Sequence, residues 1–103
     1  MLAHNVYFTL EDDSAAAQDT LLASCRKYLR DHPGIVSFHL GQLAEGLERP
    51  VNDRQFHVAL QILFDSRGAH DAYQASASHH EFIAENSSNW KQARVFDADL
   101  SSV

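Results

Sequence analysis

Tyr73 and His79 are the two side chains of this sequence best suited to moving a proton on a small organic molecule. Ser78-His79-His80-Glu81 has the spacing of a capping box, with Glu81 three residues after Ser78. That spacing predicts His79 at the first position of a helix. The positive end of the helix dipole disfavours an imidazolium there, and a neutral imidazole can serve as a general base. Tyr73 lies about two helical turns earlier, across the interruption Ser76-Ala77-Ser78, and its hydroxyl can donate to a developing enolate or alkoxide. His4 falls on the apolar face of a strand, where it can orient one of the pair. Phe8, Leu21, Leu22, Cys25, Phe82 and Trp90 can wall an apolar pocket around them. Such a site would transfer a proton at an activated carbon, as in aldol cyclisation or a related enolate step, with no cofactor. A purely structural reading stands beside it: His79 as a neighbour of a helix cap, and Tyr73 as an amphipathic residue at the core edge.

The other histidines and the cysteine invite weaker readings. His39 and His57 are expected nearly opposite each other on paired strands, on the face away from the helices. No His-x-His or His-x-x-x-His spacing accompanies them, so they read as hydrogen-bonded histidines and no metal site is assigned. His70 and His80 read as facing solvent. Cys25 sits on a helical apolar stripe, which suits an inert buried thiol better than a nucleophile. The basic residues Arg26, Lys27 and Arg30 crowd a helix end where the dipole favours cations.

The elements that must position these residues follow from periodicity. Leu2, His4, Val6, Phe8 and Leu10 alternate with Ala3, Asn5, Tyr7 and Thr9, which predicts a first strand. Asp12-Asp13-Ser14 offers a cap for a helix over Ala15 to Arg30, striped by Leu21, Leu22, Cys25, Tyr28 and Leu29. Pro33-Gly34 ends it. Ile35 to Leu43 is a second strand, with Val36, Phe38 and Leu40 on one face; a polar loop then runs from Ala44 to Asp53. Arg54 to Phe64 is the third strand, with Phe56, Val58, Leu60, Ile62 and Phe64 on one face. Asp65-Ser66 caps a short helix through Tyr73, a second helical piece runs to about Asn86, and Trp90 to Asp97 is the last strand. The order β-α-β-β-α-β is that of an α+β ferredoxin-like fold, with a four-stranded antiparallel sheet and its helices on one face. Residues 1–98 form one domain and 99–103 a short tail. The face carrying Tyr7, Ala59, Leu63 and Val95 is too apolar to leave wet, so a homodimer packed through the helix-free sheet face is expected.

Composition narrows the partners. The chain of 103 residues carries 8 basic and 14 acidic residues, a net charge of −6, which argues against nucleic acid. One cysteine excludes an internal disulfide and fits the reducing cytoplasm. No run is long enough to span a membrane and no export signal is read at the N-terminus. No phosphate-cradling glycine motif occurs.

Several of these residues together resemble a known family. His4 followed by Val6-Tyr7-Phe8, Pro33-Gly34, Phe56-His57-Val58-Ala59-Leu60 running into Phe64-Asp65-Ser66, Tyr73, His79, Trp90 and Val95-Phe96-Asp97 match, in order and spacing, the stress-responsive A/B-barrel domain (Dabb) family of dimeric α+β barrels. The resemblance covers nearly the whole chain. Ser76-Ala77-Ser78-His79 departs from it, since His-Pro-x-His is usual there. The resemblance implies a barrel dimer of unassigned activity with a small-ligand cleft. One branch is similar to plant olivetolic acid cyclase, a cofactor-free enzyme of aldol chemistry on a polyketide thioester; its catalytic Tyr and His fall on Tyr73 and His79. That branch implies a small hydrophobic carbonyl ligand and an enolate-forming lyase or isomerase. Another branch resembles boiling-stable plant stress proteins that assemble into rings.

Overall fold

Strict alternation of residue types in the first strand becomes strict alternation of burial. In β1 (Leu2–Leu10), every even-numbered side chain is buried and every odd-numbered one is half-buried. The structure, a computed structural model, describes residues 1–102. After β1 come α1 (Ala15–Leu29), β2 (Ile35–Gln42), β3 (Val58–Phe64), α2 (Arg67–Ala75), α3 (Ala77–Asn86), a 3-10 turn (Ser87–Asn89) and β4 (Trp90–Asp99). The strands form one antiparallel sheet in the order β2-β3-β1-β4. This is the ferredoxin-like arrangement that the periodicity predicts, with the second helix in two pieces.

The helices lie on one face because only that face offers enough apolar surface. Val6, Phe8, Val58, Leu60, Ile62 and Phe64 from the sheet meet Leu21, Leu22, Cys25 and Leu29 of α1, Tyr73 of α2 and Phe82 of α3 in one core. Ser14 starts α1 by accepting the Ala17 N–H at 3.2 Å, and Arg26 and Lys27 occupy its last turn. Gly34 follows with φ +86°, a left-handed conformation that glycine adopts without steric cost.

Five expectations are corrected. β3 begins at Val58 instead of Arg54. Arg54 turns to Glu45 and Glu48, Thr9 Oγ1 donates to the Gln55 carbonyl at 2.6 Å, and the His57 N–H donates to the Phe8 carbonyl at 2.8 Å. This segment is therefore tied to β1 and the loop. Phe56 packs edge-on against Tyr7, 4.9 Å between ring centroids, on the helix-free face and not beside Val58. His39 pairs with Gln61, while His57 accepts the Leu10 N–H at 3.0 Å and reaches Asp13, so the two histidines do not meet. Val36 stands at a bulge between Ile35 and Ser37 and is exposed, away from Phe38 and Leu40.

The fifth correction concerns β4. A register shift at Thr9/Leu10 places Val95 opposite Val6 and Asp97 opposite His4, on the helix side of the sheet. Phe96 takes the helix-free face in place of Val95, with its ring 5.8 Å from that of Tyr7. β4 also runs to Asp99, two residues further than predicted, and the Leu100 N–H donates to the Met1 carbonyl at 2.8 Å.

Candidate functional site

A cavity of about 390 Å³ lies between the β1–β4 half of the sheet and the α2–α3 pair. Its apolar wall is built mainly by Phe8, Phe82, Ile83, Trp90 and Val95, and its polar residues are His4, His70, Tyr73, Gln74, His79 and Asp97. It exists because β4 is an edge strand whose helix-side residues Ala93, Val95 and Asp97 extend past the helices. A wider groove of about 780 Å³ lies beside Thr9, Arg54 and Lys91; none of the predicted site residues lines it.

One serine sets the backbone of the candidate pair, Tyr73 and His79. Ser76 ends α2 and begins α3. Its hydroxyl donates to the Tyr73 carbonyl at 2.8 Å and accepts the His79 N–H at 3.2 Å. The cap is thus Ser76 and not Ser78, and His79 is the third residue of α3 instead of the first. Ser78 turns to His32, 3.2 Å from its Nε2. The two chemical side chains nevertheless meet: the Tyr73 and His79 rings stand edge-to-face with centroids 4.9 Å apart.

Their environments set their protonation. Tyr73 is 2% exposed, and burial holds its hydroxyl protonated well above the ordinary phenol range. That hydroxyl makes no hydrogen bond among the described residues. Burial lowers the His79 pKa to about 4, helped by the positive fields of His4, His80, His32 and His70. At neutral pH the site therefore holds a neutral imidazole against a protonated phenol. His79 Nδ1 and Trp90 Nε1 are both sealed from solvent with no partner among the described residues.

His4 is 3% exposed, and its Nδ1–H donates to Asp97 Oδ1 at 2.5 Å. Its ring lies 5.9 Å from that of Tyr73 and 5.0 Å from that of His70. Burial lowers its pKa, against the opposing pull of Asp97. Of the predicted pocket wall, Phe8, Phe82 and Trp90 line the cavity. Leu21, Leu22 and Cys25 do not; they fill the core beneath α1. Burial pushes the Cys25 thiol up to about 12. Two site residues escaped the sequence reading. His70, expected in solvent, turns inward from α2, and Asp97 becomes a neighbour of His4 only through the β1–β4 pairing. The alternating pattern of β4 was the one available signal for Asp97, and the register shift reversed its parity.

Fold and cavity define an α+β ferredoxin-like protein with a histidine-rich, otherwise apolar cleft. The family model described as the stress responsive A/B barrel domain, Dabb, matches residues 2–100, and the chain belongs to that family. Among solved structures it is similar to a Dabb family protein of ferredoxin-like fold from Mesorhizobium loti, at 19% identity and a TM-score of 0.80, covering 98% of this chain and 97% of that one. It is similar to a dimeric ferredoxin-like protein of unknown function from Thermobifida fusca, at 17% identity and 0.78, covering 96% and 90%. It is also similar to a hydroxynitrile lyase from Passiflora edulis, at 19% and 0.77, covering 99% and 94%. No curated protein matches the sequence.

Proposed function

We propose that this Dabb-family protein binds a small, largely apolar carbonyl compound in the cavity and moves a proton on it. His79 is the base and Tyr73 the donor to the carbonyl oxygen. The observation that carries this reading is the edge-to-face pair of a neutral imidazole and a protonated phenol at the wall of an apolar cavity. His79 takes a proton from the carbon beside the carbonyl, and the Tyr73 hydroxyl stabilises the enolate oxygen that results. His4, held by Asp97, packs against Tyr73 and orients it. Trp90 and Phe82 supply flat apolar surface for the ligand body. The similarity to a hydroxynitrile lyase of the same fold is in keeping with an enzyme.

The test needs no knowledge of the product. A panel of aryl ketones and β-keto thioesters is incubated in deuterated buffer, and exchange at the carbon beside the carbonyl is followed by NMR. Wild type accelerates exchange for at least one compound; His79→Ala loses the acceleration and Tyr73→Phe retains only a small part of it. Exchange unchanged in both variants would sink the assignment. Saturable binding with no exchange would mark the barrel as a ligand carrier.

Two further readings accompany this one. A second copy of the chain covers the helix-free face, where Tyr7, Phe56, Leu63 and Phe96 present apolar surface and Phe96 is 53% exposed. The Thermobifida fusca protein, described as dimeric, favours that arrangement. The single free thiol suits a reducing compartment, and the cytoplasm is the proposed location. Among the described residues, no helix is long and apolar enough to cross a membrane.

A further inference from the structure

Two carboxylates hold two imidazoles at the end of the cavity opposite Trp90. His4 Nδ1–H donates to Asp97 Oδ1 at 2.5 Å, and His70 Nδ1–H donates to Asp71 Oδ1 at 3.0 Å. For His70 the Asp71 carboxylate on Nδ1 fixes the tautomer and leaves the lone pair on Nε2, the arrangement in which histidines ligate metals. His70 Nε2 is sealed from water and has no partner among the described residues. A buried imidazole nitrogen left unpaired is costly, and a bound cation would satisfy it. The His4 and His70 rings lie 5.0 Å apart. One donor atom from each of His4, His70 and Asp97 lies within 4.8 Å of the other two.

The donor set selects the ion. Two imidazoles and one carboxylate give a borderline N2O set with one negative charge. Calcium and magnesium ask for all-oxygen shells, whereas zinc and its first-row neighbours take this mixture. Zinc bonds to nitrogen and oxygen of about 2.0–2.2 Å place tetrahedral donors about 3.3–3.5 Å apart. His4 Nδ1 and Asp97 Oδ1 stand 2.5 Å apart, so an ion between them would take the place of their shared proton and move the pair apart, for which Asp97, 40% exposed at the sheet edge, has room. We propose that His4, His70 and Asp97 bind one divalent ion of the zinc class, joining β1, α2 and β4 and leaving its remaining coordination open to the cavity. The site shares His4, Asp97 and the cavity with the proton-transfer reading, but neither Tyr73 nor His79 is a ligand, so ion binding and proton exchange are tested separately.

The experiment uses tag-free, chelator-stripped full chain titrated with Co²⁺ and then with Zn²⁺, read by visible absorption and calorimetry. The expected result is one Co²⁺ per chain, with a ligand-field band that Zn²⁺ abolishes by displacement. His70→Gln and Asp97→Asn should lose most of the affinity, and Asp71→Asn, which alters only the partner of His70 Nδ1, should weaken binding on the order of tenfold. These three side chains are wholly or partly exposed, so the variants test the site without emptying the core; circular dichroism checks their folding. Tyr73→Phe should bind as wild type does, whatever its effect on proton exchange. No band in wild type, or full affinity in both His70→Gln and Asp97→Asn, would overturn the proposal. So would a band lost in His79→Ala but kept in His70→Gln.

Discussion

Acidification from neutrality to about pH 4 is the perturbation that bears most directly on His79. Burial first, and the neighbouring histidines second, move its pKa from 6.5 to about 4. Unfolded, the ring takes its proton near 6.5. Between the two values the unfolded chain binds more protons than the folded one. Stability therefore falls as pH falls through that window, and the loss from this group is complete below it. The full displacement corresponds to about 3 kcal/mol. His79 is half-buried and reaches an open cavity, so solvent screening reduces the expected loss to about 1–2 kcal/mol. His4, whose pKa burial also lowers, acts in the same direction. The assay is urea unfolding of wild type and His79→Asn across this pH range, with the His79 ring protons followed by NMR. The variant should lack about 1–2 kcal/mol of the acid destabilisation shown by wild type. A His79 resonance titrating at its ordinary value, or a variant with the wild-type pH profile, would refute the reasoning and remove the neutral base from the site.

Three other outcomes follow from particular contacts. Gly34→Ala should cost about 2–4 kcal/mol in chemical denaturation, from a left-handed backbone and a new Cβ that clashes with the Ala69 Cβ; Ala69→Gly should recover only the steric part. Cys25, fully buried with its thiol pushed up to about 12, should ignore thiol reagents in the native protein and react once denaturant is added. Phe96→Glu should convert the proposed dimer to monomer in size-exclusion chromatography while leaving the circular dichroism spectrum unchanged, since its side chain lies on the helix-free face.

Local pattern carried the elements. The alternation of β1, the stripe on α1 and the run Val58 to Phe64 are each decided by neighbours two to four residues away, and the fold order followed from them. Tyr73 and His79 were legible as a pair because they are close in sequence, even though the cap proved to be Ser76. The end of the site at His4 was not legible in full. Its partner Asp97 is 93 residues away, and the two meet only because β1 and β4 are neighbours in the sheet. Counting by twos from Trp90 puts Val95 outside and Phe96 inside. The shift at Thr9/Leu10 inverts that count, which no composition or periodicity within β4 reveals. His70 was missed for a related reason: on a short helix, the face that turns inward is set by what the sheet offers, here His4 and Phe64.

Ser76 gives the cavity a division of labour. One hydroxyl bridges the Tyr73 carbonyl and the His79 backbone, so both chemical groups belong to a seven-residue cassette fixed by its own hydrogen bonds. Ile83 on α3 and Val95 on the edge strand line the same space from outside that cassette and are exposed. Substitutions there reshape what fits without disturbing how the pair is held. On the proposed function, chemistry and ligand choice would be inherited separately: rim substitutions at Ile83 and Val95 would change the ligand, while altering the proposed proton transfer would require rebuilding the junction of two helices.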